Sequence, residues 1–142
     1  MILVDTGPLV ALLDPRDGLH RRSRADLAKL TDPSLLVTVP VLTEAYFHLG
    51  SRVARRKLRA LLEELDVSVR EISDSTLAAV MDWLDEYADH EPDFADGVAV
   101  VLSLELEGCR VWTYDREFRT TWRRPDGSAV PLAVRQRAPR AR

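Results

Sequence analysis

In ILVDTGPLVALLD, residues 2–14, a short apolar run meets a second apolar stretch at a single aspartate, Asp5. The run at residues 2–4 predicts a buried strand. Pro8 predicts a helix that begins just after this strand, because proline lacks the amide hydrogen that the first helical turn leaves unpaired. The stretch therefore predicts a strand, a tight turn and a helix, with Asp5 at the carboxyl end of the strand.

The same alternation of strand and helix patterns continues along the chain. Further strands are predicted at residues 35–38, 67–69 and 110–113, with a weak edge strand at 130–134 around Pro131. Pro40 and Pro92 mark two more helix starts. Two stretches have apolar residues at helical spacing, and we expect both apolar faces to be core: Leu58, Leu61, Leu62 and Leu65, and Leu77, Val80, Met81 and Leu84. This order of elements predicts an α/β fold with a mostly parallel sheet.

Length and composition favour one globular domain. The chain has 142 residues, of which 46% are hydrophobic, and it contains neither an apolar run long enough for a membrane span nor a secretory leader pattern. We therefore expect a cytoplasmic protein without membrane contact. Cys109 is the only cysteine, so an internal disulfide is excluded, a zinc site is not expected, and a place in the core is predicted.

Charge is distributed unevenly along the chain, although the net charge is only -3. Residues 66–107 hold twelve acids and one base, whereas residues 110–142 hold nine arginines and three acids. This pattern suits a protein that binds cations at one site and a polyanion beside it, although a solvated helix face and a solubilising tail would explain it as well. We expect one domain over residues 1–134 and a basic, mobile tail over residues 135–142.

Acidic residues follow or precede several of the predicted strands. Asp5 ends the first strand, Asp115 follows the fourth, and Glu44 lies in the second turn of the helix after the second strand. Asp93 and Asp96 lie at the start of the helix before the fourth strand. Because ligands of open α/β sheets bind at the carboxyl ends of the strands, we expect these acids to share one edge.

Carboxylates that lie close together repel one another unless a cation lies between them. Magnesium and manganese prefer oxygen ligands, so the acidic edge predicts Mg²⁺ or Mn²⁺ and hydrolysis by a metal-activated water. Each acid also has a simpler explanation: Asp5 as a helix cap, Asp93 and Asp96 at the positive end of a helix dipole, Glu44 as a solvent-facing residue and Asp115 as a turn residue.

Four segments of this chain resemble the motifs of PIN domains of the VapC toxin type. The segments appear in the family's order and span almost the whole chain: Val4-Asp5-Thr6-Gly7-Pro8, Val41-Leu42-Thr43-Glu44-Ala45, Asp93-Phe94-Ala95-Asp96-Gly97 and Val111-Trp112-Thr113-Tyr114-Asp115. One position departs from the pattern, since Gly97 stands where alanine is more usual. The arginine-rich tail lies beyond the part that matches.

The resemblance implies a PIN-like three-layer α/β/α sandwich and a metal-dependent endoribonuclease that acts as the toxin of a toxin-antitoxin pair. It implies an acidic set of Asp5, Glu44, Asp96 and Asp115, with Asp5 and Asp96 as direct metal ligands. Thr6 and Thr113 would hydrogen-bond the carboxylates or the attacking water, and Asp93 would be an auxiliary acid. The partners implied are RNA, a second copy in a homodimer, and a VapB-like antitoxin that blocks the site.

Other residues with possible chemistry are interpreted from their positions in the chain. The arginines just after Asp115 are predicted to contact RNA phosphates, although ordinary surface charge is an alternative: Arg116, Arg119, Arg123 and Arg124. The three histidines lie away from the acidic motifs and are interpreted as structural or surface residues. The three tryptophans are expected in the core or at an interface, with an exposed Trp122 stacking on a base as the alternative.

Three other functions compete with the nuclease hypothesis. A phosphatase with an aspartyl nucleophile would need a second acid two positions after Asp5, where Gly7 stands. A receiver-like signalling module would need a lysine after a late strand, yet the last lysine is Lys57. A degenerate PIN domain that only binds RNA or a partner should lack an acid, whereas all four are present. The RNA that is cut and the number of metal ions stay open.

Overall fold

The computed structural model describes residues 1–30 and 34–135. In chain order these residues form the following strands and helices, with a short 3₁₀ turn at Ala88–His90 before α6: β1 (Ile2–Val4), α1 (Thr6–Leu13), α2 (His20–Lys29), β2 (Leu35–Thr38), α3 (Val39–Leu49), α4 (Arg52–Glu64), β3 (Ser68–Arg70), α5 (Asp74–Glu86), α6 (Phe94–Glu105), β4 (Arg110–Trp112) and α7 (Glu117–Thr120). The predicted alternation of strands and helices is therefore confirmed.

The four strands form one parallel sheet in the order β3-β2-β1-β4. Strand β1 lies between β2 and β4, with Leu3 opposite both Leu36 and Val111. Because every strand runs in the same direction, the residues that follow β1, β2 and β4 leave the sheet at the same edge. The topology thus brings Asp5, Glu44 and Asp115 toward one side of the molecule.

Helices cover both faces of the sheet, which gives the predicted three layers. Alternate residues of a strand point to opposite faces, and in β1 Ile2 and Val4 pack with α1, α3 and α4, whereas Leu3 packs with α5 and α6. Each face is closed by large buried side chains, Trp112 on the first and Trp83 with Trp122 on the second. Burial on both faces explains why the strands are continuous apolar runs.

Two predicted helix starts are displaced by a capping aspartate. Helix α1 begins at Thr6 rather than Pro8, because Asp5 Oδ1 accepts a hydrogen bond from the Thr6 amide and caps the helix. Helix α6 begins at Phe94, two residues after Pro92, with Asp93 as its N-cap. The third strand is also one residue later than predicted, at Ser68–Arg70, where it forms an exposed edge.

The apolar face of α5 was predicted only in part. Val80 is buried as expected, but Leu77 and Met81 are 40% and 50% exposed and are not core. The helix instead turns Thr76, Val80 and Trp83 inward, and the Trp83 ring packs edge-on against Trp122 at 5.2 Å. A tryptophan buries more apolar area than a leucine or methionine, which accounts for the orientation of the helix.

Gly97, the departure from the family pattern, lies where α6 crosses α5. A Cβ atom at this position would lie 3.2 Å from both Val80 Cγ1 and Leu84 Cδ2. The glycine therefore lets the two helices approach closely, and it does not interrupt α6, which runs from Phe94 to Glu105.

The segment after α7 returns to the sheet as a single bridge rather than a full strand. The Val111 amide donates to the Pro131 carbonyl, and Val111 accepts from the Ala133 amide at 2.9 Å. The predicted basic tail lies outside the described residues except for Arg135. Within the described part of the chain, no helix has the length and apolar character needed to cross a bilayer.

Candidate active site

The acids that end or precede the strands meet in one cleft of about 350 Å³. Six carboxylates line this acidic cleft, and among the described residues no lysine or arginine does: Asp5, Asp17, Glu44, Asp93, Asp96 and Asp115. The four acids of the predicted catalytic set, together with Asp93, are therefore brought together by the fold. They come from four separate segments of the chain.

Asp5 is held by two hydrogen bonds that leave its carboxylate little freedom. Oδ1 accepts from the Thr6 amide at 2.8 Å, and Oδ2 accepts from the Thr113 hydroxyl at 2.7 Å. The second bond joins the ends of β1 and β4, which are neighbours in the sheet. The helix-cap explanation of Asp5 is thus correct, but the cap uses only one of its two oxygens.

Thr6 links the first acidic motif to the second. Its hydroxyl donates to Glu44 Oε2 at 2.6 Å, and the Thr6 side chain is buried between α1 and α3. Glu44 is half-buried in the second turn of α3, so it is not the solvent-facing residue of the simpler explanation. Both predicted auxiliary threonines therefore touch an acid of the predicted catalytic set.

Asp93 and Asp96 form a capping box at the start of α6. The Asp96 carboxylate accepts from the Asp93 amide at 3.1 Å, and both side chains also line the acidic cleft. Their predicted position at the positive end of a helix is correct. This local role does not account for the burial of Asp96 beside other carboxylates.

Asp115 closes the cleft from the end of β4. Its amide donates to Thr113 Oγ1 at 3.0 Å, and its Oδ1 accepts from the Glu117 amide at 2.9 Å at the start of α7. The buried Thr113 hydroxyl thus bridges Asp5 and the Asp115 backbone.

The carboxyls of Asp5 and Asp96 are hard to ionise in this cleft. Burial, with smaller contributions from the charges of Glu44 and Asp115, raises the pKa of Asp5 to about 6 despite its hydrogen bonds. Burial and the charge of Asp5 raise the pKa of Asp96 to about 7. Nearby positive charge would relieve this repulsion and favour both ionised forms.

The donor set fits a hard divalent cation. All the acids offer carboxylate oxygens, which suit Mg²⁺ and Mn²⁺ rather than the softer metals. Among residues 1–30 and 34–135, no three histidine, cysteine or carboxylate side chains are placed to hold one ion together. Magnesium typically takes only one or two direct carboxylates and completes its shell with water and substrate phosphate oxygens. Two carboxylates of the acidic cleft would be enough for such a shell.

Two residues of the acidic cleft were not predicted from the sequence. His48 lines it, contrary to the interpretation that the histidines lie away from the acids. Its spacing of four residues from Glu44 on one helix was the signal that could have found it. Asp17 also lines the cleft, but it lies in the turn between α1 and α2, where no periodic pattern indicates a direction.

The four arginines predicted to contact RNA fall into two pairs. Arg116 and Arg119 are exposed around α7, next to Asp115. Arg123 and Arg124 are half-buried and donate to the chain itself: Arg123 to the Trp122 carbonyl, and Arg124 to the Ser103 carbonyl and Ser128 Oγ. Trp122 is only 2% exposed, so it cannot stack on a base in this conformation.

For the nuclease activity that the resemblance implies, replacing Thr113 by valine should lower the rate about 10- to 100-fold, a typical cost of losing a group that orients a metal-binding side chain. The substitution keeps the shape of the side chain but removes the hydrogen bonds to Asp5 Oδ2 and the Asp115 amide. Thr120→Val is the matched control, because the exposed Thr120 hydroxyl hydrogen-bonds the Arg116 carbonyl and the Thr121 hydroxyl and does not line the acidic cleft. Initial cleavage rates check this, and equal activity of Thr113→Val and wild type would contradict it.

Comparisons with known proteins agree with this architecture. Residues 2–122 match the PIN domain family. The crystal structure of VapC20 from Mycobacterium tuberculosis, a sarcin-ricin loop cleaving toxin, is similar to this chain with a TM-score of 0.70 and 22% sequence identity, over 84% of this chain and 93% of that one. A search of curated protein sequences gave no match. Because the family match covers most of the residues and includes all four acidic segments, the chain belongs to the PIN domain family.

Proposed function

We propose that this protein is an endoribonuclease that hydrolyses RNA phosphodiester bonds with Mg²⁺ or Mn²⁺. The observation that carries the proposal is the convergence of Asp5, Glu44, Asp96 and Asp115 from four segments into one cleft. A fold gains nothing in stability by gathering so many carboxylates at one place, because they repel one another. Such an arrangement is expected where a cation and a phosphate substrate compensate for the repulsion.

Asp5 and Asp96 would hold the cation, since they are the two acids whose ionisation the surroundings oppose most. When bound, the cation would ease deprotonation of a water and neutralise charge that develops on the phosphate oxygens. The Thr113 hydroxyl keeps Asp5 Oδ2 in place. The Asp5 carboxylate therefore would not have to be ordered during the reaction.

Glu44 and Asp115 would complete the site as acids that orient water and substrate. Thr6 holds one oxygen of Glu44, and the Glu117 amide holds one oxygen of Asp115. Carboxylate oxygens at this place are the acceptors needed to orient an attacking water or take up its proton. Asp93 would support Asp96 through the capping box.

The similarity to VapC20 supports RNA as the substrate and a toxin as the biological role. The proposed partners are therefore a VapB-like antitoxin protein, which would block the acidic cleft, and a second copy of the chain in a homodimer. Arg116 and Arg119 are the better placed of the predicted RNA contacts, because Arg123 and Arg124 would have to give up hydrogen bonds within the chain. Light scattering of the purified chain and coexpression with its antitoxin test these two partners.

A degenerate PIN domain that only binds RNA or a partner is the main alternative. It would not need to keep four acids together at the cost of raising the pKa of two of them. In the described residues no acid of the predicted set points away from the cleft.

A nuclease assay on structured and single-stranded RNA tests the proposed function. With Mg²⁺ or Mn²⁺ we expect cleavage, and with excess chelator we expect none while the circular dichroism spectrum stays that of a folded protein. DNA of the same sequence is the control for substrate class. Cleavage that persists in chelator would contradict the proposed metal dependence. Binding of RNA without cleavage under all conditions would favour the degenerate PIN domain.

A further inference from the structure

A second, larger cleft of about 850 Å³ lies beside α2 and differs from the acidic cleft in charge. Four cationic side chains and one acid line this basic cleft: Arg21, Arg22, Lys29, Arg135 and Asp26. Arg21 and Lys29 are both exposed, and they lie eight residues apart on α2, which is a rise of about 12 Å at 1.5 Å per residue. The cleft therefore presents a row of positive charge long enough to meet more than one phosphate.

The basic cleft is supported by hydrogen bonds, an ion pair and a cation–π contact around Arg22. The Arg22 guanidinium lies over the Tyr114 ring at 4.5 Å and donates to the Arg135 carbonyl at 2.7 Å. Asp26 lies 3.5 Å from Arg22 Nε and accepts from the Tyr114 hydroxyl at 2.8 Å. These contacts fix Arg22, so that Arg21 and Lys29 project from a rigid support.

The basic cleft and the acidic cleft adjoin each other. Leu19 lines both clefts. Of the two residues before it, Asp17 lines the acidic cleft and Gly18 lines the basic cleft. A second connection runs through the residues after β4, because Tyr114 supports Arg22 while the next residue, Asp115, lines the acidic cleft.

We propose that the basic cleft binds phosphates of the RNA strand that flank the bond cut in the acidic cleft. This inference rests on the proposed function. An acidic cleft repels a polyanion except at the bound cation, so the neighbouring phosphates need compensating charge close by. The contact between the two clefts near Leu19 and Tyr114 favours RNA, because a strand cut in the acidic cleft extends beyond the scissile bond and meets the neighbouring surface.

The test compares RNA binding by variants of the full chain in an Asp96→Asn background with Mg²⁺, where the strand is not cut. Arg21→Ala with Lys29→Ala should weaken binding of a single-stranded RNA at least about 10-fold, and the slope of log affinity against log salt should fall by about 1.4, since each lost phosphate contact removes about 0.7. In the active background the same two substitutions should raise KM and leave kcat within a factor of two.

Arg52→Ala with Arg56→Ala is the matched control. It removes the same charge from exposed positions of α4 that line neither cleft, so affinity and salt slope should stay close to those of the parent. Suppose that wild type cleaves RNA while Arg21→Ala with Lys29→Ala binds RNA as tightly as the parent and with the same salt slope. In that case the basic-cleft inference is wrong and the proposed function stands. If wild type neither binds nor cleaves RNA, both the basic-cleft inference and the proposed function are wrong. Loss of binding to an acidic peptide, with RNA binding intact, would overturn the inference and assign the cleft to a protein partner.

Discussion

Asp96→Asn and Asp5→Asn should each lower RNA cleavage by about 10³-fold or more, since the metal would lose one of its two direct carboxylates. Asparagine keeps the shape and one acceptor oxygen of each side chain. The hydrogen bond from the Asp93 amide therefore stays possible in Asp96→Asn, whereas Asp5→Asn can keep only one of the bonds from the Thr6 amide and the Thr113 hydroxyl. Single-turnover cleavage at saturating metal measures the loss. Because each substitution removes a charge from a crowded acidic cleft, both variants should remain folded.

Asp85→Asn is the control for a lost carboxylate outside the cleft, because Asp85 is an exposed residue of α5. It should cleave RNA at the wild-type rate. Titration with Mn²⁺ separates the two ways in which a cleft variant can fail: weaker metal binding is partly rescued by higher metal, whereas a disordered site is not. Wild-type cleavage rates in both Asp96→Asn and Asp5→Asn would contradict the assignment of these acids as metal ligands.

The metal-free protein should lose stability as the pH rises from about 4 to about 7. In the folded protein the pKa of Asp5 is raised to about 6 and that of Asp96 to about 7, well above the ordinary range of an aspartate carboxyl. Protonation therefore favours the folded state, so this contribution is fully present below pH 4 and is lost as the pH passes the folded values. At 1.36 kcal/mol per pKa unit, Asp5 alone accounts for about 3 kcal/mol of this loss, or roughly 10 °C in Tm for a chain of this size, and Asp96 adds to it.

Thermal unfolding in chelator at pH 5 and pH 8, repeated with Mg²⁺ or Mn²⁺, measures this dependence. Metal should restore stability at pH 8 and have little effect at pH 5, where protons compete for the same oxygens. Asp96→Asn should be more stable than wild type at pH 8 without metal, because it cannot acquire the unfavourable charge. A wild-type Tm that rises with pH in chelator would contradict the prediction.

The strands and the acids that follow them could be predicted from the sequence because both depend on local features. A short apolar run must be buried whatever packs on it, and a residue directly after a parallel strand lies at the carboxyl edge of the sheet. Asp5 and Asp115 needed little more than this rule, whereas Glu44 was also placed by the helix expected after the second strand. Asp96 was found through its place at the start of the helix that precedes the fourth strand.

The errors came where competing local signals differed by little. Asp5 and Asp93 cap their helices and so displaced the starts expected from Pro8 and Pro92. On α5, helical spacing was compatible with a face through Leu77 and Met81, and the packing of Trp83 against Trp122 decided otherwise. The spacing of apolar residues along a helix defines which faces could be buried. The face that is buried depends on the side chains that the rest of the fold places against the helix.

By itself, then, the sequence determined that this is a parallel α/β domain with four acids near one edge, because periodicity and strand-end position are properties of neighbouring residues. Only the tertiary structure decided that Thr113 holds Asp5 and that Thr6 holds Glu44, across 108 and 38 positions of chain. The basic cleft also depends on it, because residues of α2 and the segment after β4 meet only when the sheet has formed. Such contacts have no local pattern, since they join atoms that lie far apart in the sequence.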